Sequence, residues 1–111
     1  MKTETKYLEL GQSHGFFAED LIVGNANYSF PDSALSITVG SPGSADRSKK
    51  LKVGEMMRYA RADSSALYEI RLRSLDTNSA GNEGGSVQVT RFDDSAMIAA
   101  ITARTGWESG R

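Results

Sequence analysis

Apolar and polar residues alternate along most of this chain, the mark of half-buried β-strands. Leu35, Ile37 and Val39 alternate with Ser36 and Thr38. Tyr68, Ile70 and Leu72 alternate with Glu69, Arg71 and Arg73, and Val87 and Val89 with Gln88 and Thr90. The same period sets Leu51, Val53, Met57 and Tyr59 on one face of a single strand. Three weaker segments precede these: 7–10, then 16–23 with an irregularity at Glu19-Asp20, then 27–30, stopped by Pro31. Between the first two, residues 11–15 read as a turn that contains His14.

The strand through Met57 and the strand through Ile70 suit an antiparallel hairpin turning at Asp63-Ser64. In that register Tyr59 faces Tyr68, Met57 faces Ile70 and Arg58 faces Glu69, so apolar meets apolar and opposite charges meet. Glu55 is the misfit. It falls opposite Leu72 on the apolar side unless it lies at the rim or Gly54 marks a bulge.

After Phe92 the period changes. Asp93, Asp94 and Ser95 supply capping side chains and negative charge for a helix start. A short helix over 96–104 follows, with Met97, Ile98, Ile101 and Arg104 near one face and Gly106 as its stop. The expected fold is mainly β: a sandwich or partly open barrel of about six or seven mostly antiparallel strands, with one short C-terminal α-helix. A length of 111 residues suits one domain spanning 1–111. Two stretches, 40–48 and 76–85, are small, polar and rich in turn formers, and read as long loops.

Composition narrows the chemistry. The chain has no cysteine, which removes disulfides, thiolate catalysis and cysteine-based metal sites and fits a cytoplasmic location. Residues 1–6 are polar and no apolar run follows, so no signal peptide is expected, and no run approaches the length of a membrane span. Net charge is −1 but segregated: 1–46 carries −4, 47–73 carries +5 and 74–111 carries −2.

Candidate catalytic groups are few. His14 is the only histidine, and any imidazole base must be this residue. Its neighbour Ser13 is adjacent in sequence, which rarely gives a productive nucleophile–base pair. Glu19 and Asp20 are neighbours in a strand reading and point to opposite faces, and Asp93 and Asp94 serve as caps. The 40–48 loop with Lys49 and Lys50 lacks the G-x-x-x-x-G-K-[ST] pattern and leads into a strand, so it reads as a connector rather than a phosphate cradle. The sequon at Asn27-Tyr28-Ser29 carries no weight without a secretion signal.

The basic segment is the leading functional feature. Lys52, Arg71 and Arg73 project from the polar face of the hairpin, Arg58 joins them opposite Glu69, and Lys49, Lys50 and Arg61 flank it. Trp107, just past the helix, is a further interface candidate. The expectation is a non-catalytic binding domain without cofactor or metal. It meets a protein partner through a sheet face or the long loops, with Lys49, Lys50, Lys52, Arg58, Arg71, Arg73 and Trp107 as contact residues. The alternative is a nucleic-acid-binding domain using hairpin 47–73, for which Tyr28, Phe92 and Trp107 are the only aromatic platforms off the core face. A second alternative is a small enzyme built on His14 and nearby carboxylates. Open sheet edges also admit a homodimer.

Overall fold

A computed structural model describes residues 2–29, 33–62, 65–77, 83–102 and 108–109. The chain forms β1 (Lys2–Glu9), β2 (Ser13–Phe16), β3 (Leu21–Ser29), β4 (Ala34–Gly40), β5 (Arg47–Lys52), β6 (Met56–Ala60), β7 (Leu67–Thr77) and β8 (Glu83–Phe92), then α1 (Ser95–Thr102) and the two-residue β9 (Glu108–Ser109). The first eight strands make two four-stranded antiparallel sheets, β1-β8-β7-β6 and β2-β3-β4-β5, and β9 adds in parallel beside β6. Apart from β1, which pairs with β8, each of these strands lies beside its sequence neighbour, and the chain changes sheet only at β1–β2 and β5–β6. The architecture is an open, sandwich-like pair of sheets.

The inner faces carry the alternating residues that the sequence marks as apolar. Leu35, Ile37, Val39 and Leu51 of one sheet meet Met57, Tyr59, Tyr68, Ile70, Leu72, Val87 and Val89 of the other in one cluster. A second, smaller cluster lies on the opposite face of the β6–β7–β8 sheet, where Ile98 of α1 covers Ala60, Leu67 and Phe92. Asp94 caps that helix, its carboxylate accepting the Met97 amide at 2.9 Å. The helix therefore half-buries Ile98 and leaves Met97 exposed, and Phe92 is covered rather than free as a stacking platform.

The hairpin register holds: Tyr59 pairs with Tyr68, Met57 with Ile70 and Arg58 with Glu69. The single strand through Leu51 and Tyr59 does not. It is two strands in different sheets, separated by a turn in which Gly54 adopts φ +90 and Val53 is exposed. A left-handed residue reverses the chain at almost no steric cost when it is glycine, and this is where the chain crosses between sheets. Glu55 lies in that turn, exposed, with its carboxylate accepting the Lys52 amide at 2.8 Å, so it never faces the core.

The N-terminal half also differs from the expectation. The segment 16–23 is the end of β2, a turn and the start of β3, and 27–30 belongs to the same β3 as far as Ser29. Phe17, Ala18 and Glu19 all have positive φ, a left-handed reversal in which no glycine takes part. Alternation could not mark such a turn, because tertiary contacts hold it. Tyr68 stacks on Phe17, Glu4 accepts the Phe17 amide at 3.0 Å, and Asp20 is gripped from the opposite sheet. Pro31, the Asp63-Ser64 turn centre, residues 78–82 of the second long loop, Arg104, Gly106 and Trp107 lie outside the described residues, as does the side chain of Tyr28.

Candidate functional site

The outer face of the β2–β5 sheet is built from small residues. Pairing sets Ser13, Gly24 and Thr38 in one row and Ile22 beside Gly40 in the next. The inward partners of these rows, His14 with Val23 and Val39, and Phe16 with Leu21, carry the bulk. With no side chain at Gly24 or Gly40, the face is hollowed into an open groove of about 430 Å³ whose floor is backbone. Ser41, Pro42 and Asp46, from the loop after β4, form one wall.

That wall is prebuilt. The Ser44 amide bonds to the Ser41 carbonyl at 2.9 Å, and the Ser41 hydroxyl donates to the Asp20 carbonyl at 2.7 Å. From the other sheet, the Tyr59 hydroxyl donates to the Ala45 carbonyl at 2.6 Å and the Ala62 amide to the Ser44 hydroxyl at 2.9 Å. The 40–48 segment is thus a loop secured at both sheets, and a preorganised wall loses little entropy on binding.

Burial holds the Tyr59 phenol above the ordinary tyrosine value of 10.0, against smaller opposing effects of Ser44, the Ser41 backbone and Arg47. Because folding favours the protonated phenol, its contribution is complete below pH 10.0 and is lost as pH rises through the raised value. Its contribution to resistance against urea should therefore decline only above that pH. Tyr59→Phe should lose about 1 kcal/mol at neutral pH, where the hydroxyl bond is intact, and show a shallower alkaline decline. Urea midpoints taken on both sides of the phenol titration check this.

A second polar assembly joins the sheets beside the groove. The Asp20 carboxylate accepts the Tyr68 hydroxyl and pairs with the Arg61 guanidinium. Arg91 Nε stands 3.2 Å from Asp20 Oδ2, an ion pair without the alignment of a hydrogen bond, and Arg91 Nη1 meets Asp93 at 3.1 Å. Asp20 is therefore an inter-sheet clasp and not half of a convergent Glu19–Asp20 pair. His14 is a half-buried strand residue opposite Val23 rather than a turn residue, and among the described residues it contacts no carboxylate. No cluster of metal-binding side chains occurs among the described residues, and no described helix is long and apolar enough to cross a membrane.

The basic residues are not brought to one face. Lys50 and Lys52 point outward from β5, opposite Ser36 and Ala34, on the sheet that carries the groove. Lys49 takes the inward parity of Leu51 yet stays exposed, because β5 is an edge strand, where inward charge blunts strand addition. Arg58 and Arg71 lie on the outer face of the other sheet. Arg58 pairs with Glu69 at 3.5 Å, and Arg71 bonds the Gly54 carbonyl at 3.2 Å. Arg73 is the extra residue of a β-bulge between Leu72 and Ser74 and is exposed.

The groove residues carry no motif. Their one trace in the sequence is that the outward positions of β4, namely Ser36, Thr38 and Gly40, are all small. No family model, no curated protein and no solved structure matches this chain.

Proposed function

We propose that the protein is a non-catalytic binding module that receives a protein partner on the outer face of the β2–β5 sheet. The observation that carries this reading is the backbone-floored groove between Ser13, Ile22 and Thr38, walled by a loop secured from both sheets. Concave surfaces with a few placed polar groups are the usual form of a recognition site. The catalytic alternative lacks support in this geometry, since His14 stands apart from the carboxylates among the described residues. The nucleic-acid alternative is disfavoured by the division of its six cations between two sheets, with Arg58 already paired.

Thr38 lines the groove from an outward, half-buried position of β4, so Thr38→Trp fills the site while suiting a strand. In affinity capture from the source organism after nuclease treatment, the wild-type chain should retain a partner protein that Thr38→Trp fails to retain. Equal retention by both chains would remove the groove from the interface. Nucleic acid recovered without nuclease and released by salt would replace this reading with the basic-segment one.

A further inference from the structure

We propose that the groove is a receptor for one arginine side chain of the protein partner, with Asp46 as its counter-charge. This rests on the reading of the β2–β5 face as the partner surface. The argument is the hydrogen-bonding capacity left in the groove. The Thr38 hydroxyl is occupied by Ser48 at 2.8 Å and the Ser41 hydroxyl by the Asp20 carbonyl at 2.7 Å. Among the described residues, the Asp46 carboxylate and the Ser13 hydroxyl take part in no hydrogen bond. The neighbouring Arg47 spends Nη1 on the Asp46 backbone carbonyl at 3.1 Å rather than on the carboxylate. What remains is a charged acceptor and a hydroxyl that also accepts, so the complementary group is a donor-rich cation. An anion would meet Asp46 unfavourably.

The floor selects among cations. The Asp46 carboxylate lies directly over Gly40, and a Cβ built on Gly40 would collide with Asp46 Oδ1. At Gly24 a Cβ would stand 2.9 Å from Ser13 Oγ. The two glycines thus hold the acceptors down against a flat peptide surface. A planar guanidinium can lie on that surface and present a fork of donors at its edge, whereas an ammonium is a compact point charge with no plane to match. Ile22, 40% exposed, and Pro42 offer apolar flanks for the arginine methylenes.

The test titrates the full-length, isotope-labelled chain with the blocked tripeptide acetyl-Gly-Arg-Gly-amide, followed by amide resonances. The counterpart peptide carries citrulline, which has the same shape without the charge. Saturable shifts confined to Ser13, Ile22, Gly24, Thr38 and Gly40 are expected, with the citrulline peptide failing to saturate. Asp46→Asn, isosteric and at an exposed position, should weaken the arginine peptide about tenfold or more, as should Gly40→Ala, which displaces the carboxylate without removing it. No saturable shift with the arginine peptide, or equal binding by citrulline or by Asp46→Asn, would overturn the inference. The two readings separate cleanly. A captured partner lost on Thr38→Trp but kept on Asp46→Asn leaves the face as the interface and removes the arginine. Retention on Thr38→Trp removes the face itself.

Discussion

Asp20→Ala should cost about 2–3 kcal/mol of folding stability, a shift in midpoint temperature of roughly 10–15 °C. The carboxylate joins Arg61, Arg91 and the Tyr68 hydroxyl, and its removal takes a counter-charge from both guanidiniums, leaving Arg91 its pairing with Asp93, and takes the acceptor from a buried phenol. Breaking one side of a fully buried ion pair costs ~3–5 kcal/mol. The side chains here keep 18–23% of their exposure, so water recovers part of that cost. A second loss adds to it. Phe17, Ala18 and Glu19 sit at φ 56, 55 and 68, a conformation that costs L-residues about 1–2 kcal/mol each, and Asp20 is the anchor at the end of that turn. Thermal and urea unfolding measure the effect. Asp20→Ala combined with Arg61→Ala should cost less than the sum of the two single changes, since the second no longer strands a charge. A loss below ~0.5 kcal/mol for Asp20→Ala would mean that solvent screens the clasp to a surface ion pair.

The second large effect is expected at Gly84 and Gly85. Each of Gly84→Ala and Gly85→Ala should destabilise by about 2–3 kcal/mol, the upper range for forcing atoms into a closed interior. Both glycines lie in β8 between two partners: Gly84 pairs with Glu9 and Asp76, and Gly85 with Leu8 and Leu75. A Cβ on Gly84 would run into the Leu8 carbonyl oxygen and stand 2.9 Å from the Glu9 Cα. One on Gly85 would stand 2.5 Å from the Ser74 carbonyl oxygen and 2.9 Å from a Leu35 methyl. The obstacles at Gly84 are backbone, so β1 must move away from β8 and its ladder bonds lengthen. Amide exchange should therefore quicken in β1 more than in β6 for Gly84→Ala. The Leu72–Ser74 bulge lies beside Gly85, so Gly85→Ala strains β7 at the one place where its pairing is already irregular. Urea midpoints within error of wild type would show that β1 is free to shift.

Much of the fold was legible because period two is a local signal. The β6–β7 pairing could be written residue by residue from Tyr59, Tyr68, Met57, Ile70, Arg58 and Glu69. The capping role of Asp94 was legible for the same reason, since a helix start is decided within four residues. The candidate site was not legible. The basic segment stands out because charge is visible in a string, yet its lysines and arginines are shared between two sheets once Gly54 turns the chain across. The groove stayed hidden because what makes it is the lack of side chains at Gly24 and Gly40, and glycine in a string reads as a turn. In the sequence Asp20 is only the strand neighbour of Glu19, pointing to the opposite face. Its partners Arg61, Tyr68 and Arg91 are far along the chain, and no spacing rule connects them.

The sequence by itself determined the β class, most of the inward-facing positions, the register of the β6–β7 hairpin and the helix start, because alternation, pairing chemistry and capping all act over a few residues; Val53 and Phe92, whose burial depends on a turn and on the helix, escaped it. Only the tertiary structure decided which strands share a sheet, where the left-handed turn at 17–19 is affordable, and that Ser13, Gly24, Gly40 and Asp46 meet. Those outcomes depend on contacts between segments whose separation leaves no periodic trace: a carboxylate gripped by the opposite sheet, a tyrosine holding a loop, and a groove made where two strands carry no side chain.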